Sequence, residues 1–112
     1  MKRVAVLGVA AAILASPAAV EAREVLTKHE AAAQIRKWGR NTADENGDTI
    51  TRQNADLCSR SSLSRVVCWY EEDGYDVDGA DYSCWGTVRV IKYETHYTVG
   101  PIKHGRFRFR CY

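Results

Sequence analysis

Apolar and polar positions divide the chain into three unlike parts. The first is an uninterrupted apolar run of 11 residues, Val4 to Leu14, preceded by Met1, Lys2 and Arg3. An Ala-rich stretch follows Ser16-Pro17, and Val20-Glu21-Ala22 places small or aliphatic residues at −3 and −1 of a peptidase site. A charged start, a short apolar centre and a small-residue exit form the tripartite pattern of a cleavable signal peptide. The run falls short of the roughly 20 residues needed to span a hydrocarbon core. Residues 1–22 are therefore expected to be removed after Ala22, with Ala18 as the second choice. No Cys lies near either site, so a lipid anchor has no attachment point. The Ala-rich leader is of bacterial type, and the address it sets is secreted or periplasmic.

The second part has helical period. Ala31, Ile35 and Trp38 fall on one face, as an amphipathic helix docked on a sheet requires. Thr27-Lys28-His29-Glu30 is a capping box, with Thr27 at N-cap and Glu30 at N3. Ala31, Ala32 and Ala33 propagate the helix, and Gly39 stands where a left-handed C-terminal cap is expected. Arg36 and Lys37 then suit the negative end of the dipole. The pattern predicts a helix over Lys28 to Trp38, followed by turn chemistry over residues 39–49, where Asn46-Gly47 is the strongest signal.

Beyond residue 49 the period drops to two. Strands are expected over Thr49 to Cys58, Arg65 to Glu71, Cys84 to Tyr93, Tyr97 to Val99 and Arg106 to Cys111, with Gly100-Pro101 and His104-Gly105 as punctuation. Val66, Cys68 and Tyr70 share one face of their strand, and Val67 and Trp69 share the other. Cys84, Val88 and Val90 share a face, with Trp85 opposite, and Phe107, Phe109 and Cys111 are expected to share one. One early helix and several later strands make an α+β fold: an N-terminal helix packed on a four- to five-stranded antiparallel sheet. Residues 23–112 form one domain.

Composition changes this picture in two ways. The whole chain carries 16 basic and 14 acidic residues; without Lys2, Arg3 and Glu21 the mature part has 14 against 13. Near-neutrality argues against a dedicated nucleic-acid binder, whose domain is usually basic. All four cysteines (Cys58, Cys68, Cys84 and Cys111) lie in the mature part. An even count in a small exported chain reads as two disulfides, and zinc lacks the C-x-x-C spacing it favours. Of the three pairings, geometry favours Cys58–Cys68, flanking the polar stretch 59–64, and Cys84–Cys111. Placing Cys84 opposite Cys111 in antiparallel strands puts Val88 opposite Phe107, so both bridging residues point into one apolar layer. Loop-closure entropy makes each bridge worth about 2.5 to 3.5 kcal/mol.

One early helix, later antiparallel strands and two successive disulfides in the C-terminal half, the last Cys near the end, resemble the layout of the cystatin superfamily over about residues 27–112. Inhibitory members carry a Gln-x-Val-x-Gly hairpin and a Pro-Trp hairpin. Neither occurs here, and no Pro precedes Trp69 or Trp85. The resemblance implies a fold and no inhibitory activity.

Candidate chemistry is sparse. Residues 71–81 hold six carboxylates, which raises a calcium loop. EF-hand spacing fails there, because Gly79 and Ala80 fall at positions four and five counted from Asp76. It fails again at Asp44, Asn46 and Asp48, where Thr49 and Ala55 take positions six and twelve. A solvated acidic loop is the simpler reading. Arg106, Arg108 and Arg110 alternate with Phe107 and Phe109, as a strand with aromatic residues inward and guanidinium groups outward would. His29, His96 and His104 are scattered. Glu94 and His96, on one face of a strand, are the weak candidates for acid–base catalysis and match residue types found in small secreted ribonucleases. No phosphate loop or nucleophile elbow is present, and no cofactor or metal is expected.

Trp69 and Trp85 fall on the sheet face that a single helix leaves open, and exposed aromatic patches mark partner sites. The first functional reading is thus a non-catalytic binding domain using Trp69, Trp85, Arg89, Arg106, Arg108 and Arg110 toward a protein or an anionic surface, with no membrane span after cleavage. A small secreted hydrolase using Glu94 and His96 is the alternative, and a structural envelope protein the third.

Overall fold

The computed structural model describes residues 25–112; the signal-peptide expectation at residues 1–22 lies outside the described residues. Helix α1 spans Lys28–Asn46. Its start is the expected capping box. Thr27 Oγ1 accepts the Glu30 N–H at 3.0 Å, and Glu30 Oε1 accepts the Thr27 N–H at 3.3 Å. Its end corrects the expectation. Gly39 is not a cap; the helix runs on to Asn46, and Gly47 at φ 77° is the left-handed residue, its N–H bonding to Ala43 and Asp44 carbonyls. Gly39 belongs instead to a buried row with Ile35 and Ala43, four residues apart on the face that crosses the sheet. Arg36 and Lys37 consequently lie mid-helix, and the last turn carries no basic residue.

Five strands follow: β1 Thr49–Ser62, β2 Arg65–Tyr75, β3 Asp81–Lys92, β4 Tyr97–Pro101 and β5 Arg110–Cys111. They form one antiparallel sheet in the order β1-β2-β3-β4, with β5 joining β3 at Cys84 and Trp85. The fold class is therefore as expected, one helix on an antiparallel sheet with two disulfides. Strands β2 and β3 run longer than expected and pair without interruption from Arg65↔Ile91 to Tyr75↔Asp81. Strand β1 is irregular. Its register against β2 slips at three places, one of them around Leu57 and Cys58, where Leu57 takes φ 51° and projects its side chain into solvent.

The period of two sorts side chains as the pattern predicts. Val66, Cys68, Tyr70, Glu72 and Gly74 of β2 are buried, and so are Cys84, Gly86, Val88 and Val90 of β3. Of these, Val66, Cys68, Tyr70, Val88 and Val90 form the core with Leu26, Ile35 and Ala55. Each fully buried aliphatic side chain there contributes about 1.5 to 3 kcal/mol. Arg60 ties the entry of the chain to the β1–β2 turn, donating to the carbonyls of Leu26 at 2.6 Å and Leu63 at 2.9 Å. The disulfides are Cys58–Cys68 and Cys84–Cys111.

The C-terminal segment departs from expectation. Cys84 does pair with Cys111, but Pro101 rather than Phe107 lies opposite Val88. Only Arg110 and Cys111 form a strand; residues 102–109 make a loop stitched to the β3 edge by Thr87 N–H to the Phe107 carbonyl (2.9 Å) and Ile102 N–H to the Thr87 carbonyl (2.9 Å). The edge of β3 is already taken by β4, so the last strand reaches it only beyond β4. The two phenylalanines separate as a result. Phe109 enters the core beside Trp38 and Tyr70, whereas Phe107 is exposed and meets Trp69.

Candidate functional site

The outer sheet face carries the expected tryptophans. Trp69 lies opposite Thr87, and Trp85 opposite Glu71, which makes the two diagonal neighbours across β2 and β3. Both are half-buried. The Trp69 indole N–H donates to Glu71 Oε2 at 2.9 Å, and its ring meets Phe107 edge-on at 6.4 Å. Trp85 stacks on Tyr112 at 5.0 Å. Beside them Arg52 pairs with Asp73 at 2.8 Å and with Glu71 at 3.5 Å. The Ser83 hydroxyl first, and then Arg52, hold the Asp73 carboxyl below the usual carboxylate range. This end of the face is neutralised from within.

The basic end is not. Arg89 projects from the outer face of β3 and is exposed, as are Lys103, Arg106 and Arg108 in the 102–109 loop. The Arg106 guanidinium sits 5.6 Å from the centre of the Phe107 ring, within reach of a cation–π contact. Among the described residues none of Arg89, Arg106 and Arg108 enters an ion pair. Arg110 differs: it is half-buried on β5 opposite Trp85, and its Nε is buried without a hydrogen-bond acceptor. The expected binding residues thus divide into a tryptophan pair on the sheet, three exposed arginines outside any ion pair, and the half-buried Arg110. Of the three, Arg106 lies against Phe107 and Arg108 donates to the Gly105 carbonyl at 3.4 Å.

A second feature lies on the opposite face. A cavity of about 380 Å³ opens between the C-terminal half of α1 and the inner side of β2, β3 and β5. Trp38, Tyr82, Phe109 and Tyr112 line it, together with Glu72, Asp48 and Asp76. Glu72 is buried, and each of its oxygens accepts a phenol: Oε1 from Tyr70 and Oε2 from Tyr82, both at 2.6 Å. The Tyr70 hydroxyl in turn accepts from Gln53 Nε2 at 2.8 Å, and the same amide donates to the Arg36 carbonyl at 2.9 Å. Burial, followed by the hydrogen bond to Glu72, pushes both phenols well above their ordinary range. Satisfied partners make a carboxylate tolerable in this position.

Glu94 and His96 do not share a strand face. They lie in the turn between β3 and β4, where the Tyr93 N–H bonds to the His96 carbonyl at 2.7 Å and the Tyr93 ring stacks on the imidazole at 4.8 Å. Both are exposed. In the acidic loop Asp76 organises backbone, its Oδ1 accepting the Asp78 and Ala80 N–H groups at 2.9 Å. Among the described residues no three His, Cys, Asp or Glu side chains converge as a metal site would require.

Comparison with protein-family models, with curated proteins and with solved structures finds no match. The resemblance to the cystatin layout therefore rests on element order alone. The cavity was not anticipated from the sequence, although one signal for it exists. Glu72 follows Val66, Cys68 and Tyr70 at intervals of two, and strand alternation carried past Tyr70 turns it inward.

Proposed function

We propose that the chain is an exported, non-catalytic binding domain that docks on a polyanionic surface through its 102–109 loop and the adjoining outer sheet face. The observation that carries this reading is Phe107, 58% exposed, held between Trp69 and Arg106. Exposing a large apolar ring in a small domain is unfavourable, and here the ring lies beside the Arg106 guanidinium, which enters no ion pair. An apolar contact beside exposed positive charge suits a partner that presents dense anionic groups. Export is supported by the two disulfides.

Salt elution from immobilised heparin, a polyanion of simple chemistry, tests the reading. The double substitution R106Q/R108Q is expected to lower the eluting salt concentration clearly. K37Q/R40Q, which removes the same charge from the helix, is expected to change it little. Equal shifts for the two doubles would reduce the effect to net charge and end the proposal.

A further inference from the structure

The cavity between α1 and the sheet has a chemistry of its own, independent of the outer face. Aromatic residues line it from three separate parts of the chain: Trp38 from the helix, Tyr82 from β3 and Phe109 from the C-terminal segment, with Tyr112 also in the lining although its ring stacks on Trp85 of the outer face. Every charged group in the lining is a carboxylate. Glu72 lies in the wall, with Asp48 and Asp76 beside it, and no Lys, Arg or His contributes. At about 380 Å³ the space is within the range of small-ligand sites.

We infer that this cavity binds a small organic cation, and specifically a quaternary ammonium. Aromatic rings attract a cation through their quadrupoles, and carboxylates in a partly desolvated wall add attraction that water screens poorly. A neutral apolar ligand would gain nothing from the three carboxylates, and an anion would be repelled by them. The state of Glu72 selects among cations. Each of its oxygens already accepts a tyrosine hydroxyl, so it supplies charge more readily than vacant acceptor positions. A primary ammonium brings three N–H donors that must be satisfied on leaving water. A quaternary ammonium brings none.

Choline titrated into the purified, isotopically labelled protein tests this, with 3,3-dimethylbutan-1-ol as the uncharged isostere and n-butylammonium as the primary amine. The three indole N–H signals report separately on Trp38, Trp69 and Trp85. Choline is expected to shift the Trp38 signal and leave Trp69 unmoved, binding at least about tenfold more tightly than the isostere, as a desolvated cation–π site implies. Butylammonium is expected to bind more weakly than choline. Asp48→Asn, at a half-buried position outside the Glu72 hydrogen bonds, is expected to weaken choline binding severalfold while leaving the fold intact. Glu72→Gln is expected to weaken it further if that variant folds. Equal affinity for choline and its isostere, preference for butylammonium, indifference to Asp48→Asn, or no shift of Trp38 above about 10 mM choline would each overturn the assignment. None of these outcomes bears on heparin retention, so the two proposals stand or fall separately.

Discussion

Gly39 lies directly against the ring of Tyr70: a Cβ built on Gly39 would stand 2.8 Å from Tyr70 Cζ and 2.9 Å from Gln53 Nε2. This close approach lets α1 settle on the sheet and keeps the Tyr70 hydroxyl within reach of Glu72. Ala is a better helix former than Gly by about 1 kcal/mol, yet overpacking here outweighs that gain. Gly39→Ala is expected to destabilise the protein by about 1 to 3 kcal/mol. The matched exposed change Asn41→Ala should be neutral or slightly stabilising. Urea denaturation of the two variants decides it, and a stabilised Gly39→Ala would mean that the helix can lift without loss.

Gly86 holds a comparable position in the sheet. It sits at φ 143°, and an added Cβ would lie 2.6 Å from the Phe109 backbone N. Gly86→Ala is expected to displace the C-terminal segment, costing about 2 kcal/mol or more in stability. Near-UV circular dichroism should report it through the loss of the Trp38–Phe109 contact. An unchanged spectrum would show that the segment docks independently of Gly86.

The three tryptophans should differ in their stability effects. Trp38 packs edge-on against both Tyr70 and Phe109, so Trp38→Ala is expected to cost about 3 to 5 kcal/mol. Trp69 keeps part of its surface in water and loses only the contacts to Glu71 and Phe107. For Trp69→Ala a loss of about 1 kcal/mol is expected. Equal losses in thermal or urea unfolding would place Trp69 in the core and remove it as a contact residue.

Stability should fall at both extremes of pH, for opposite reasons. Tyr70 and Tyr82 are raised in the folded state from an ordinary value of 10.0. Their contribution is complete below that pH and is lost as pH climbs above it, because the unfolded chain releases those protons first. Glu30 is lowered from 4.5, chiefly by the Tyr97 hydroxyl and further by Lys92. Its contribution is present above 4.5 and is lost as pH falls below it. Tyr70→Phe is expected to flatten the alkaline limb and leave the acid limb unchanged. Urea midpoints measured across the pH range would show it, and an unaltered alkaline limb would contradict the role given to Tyr70.

The disulfides should contribute unequally. The bridge Cys84–Cys111 spans 27 residues against 10 for Cys58–Cys68, and loop-closure entropy scales with that length. Replacing both cysteines of a pair by Ser is expected to cost about 3.6 and about 2.7 kcal/mol respectively. The longer bridge also anchors the segment that delivers Phe109 to the core. A reversed order in equilibrium unfolding would point to strain or solvation rather than chain entropy.

What was legible in the sequence is what neighbouring residues settle among themselves. Thr27 and Glu30 cap each other across three residues. Val66, Cys68 and Tyr70 choose the inner face by alternation alone, which leaves Trp69 outside. Cys58–Cys68 was legible from its place on either side of the polar stretch 59–64, and Cys84–Cys111 from strands that could face each other, although the Val88–Phe107 register behind that second reading did not form. The tertiary structure decided what depends on distant partners. Gly39 looks like a helix end locally and becomes a packing position only because Tyr70 occupies the space above it. Phe107 and Phe109 have the spacing of one strand face, but the edge they would pair with is occupied by β4, so they part to opposite sides of the sheet. Glu72 reads as the start of an acidic loop until the hydroxyls of Tyr70 and Tyr82 bring it inside. Local pattern reports which way a side chain points; only the packed neighbours determine whether there is room for it and what it meets.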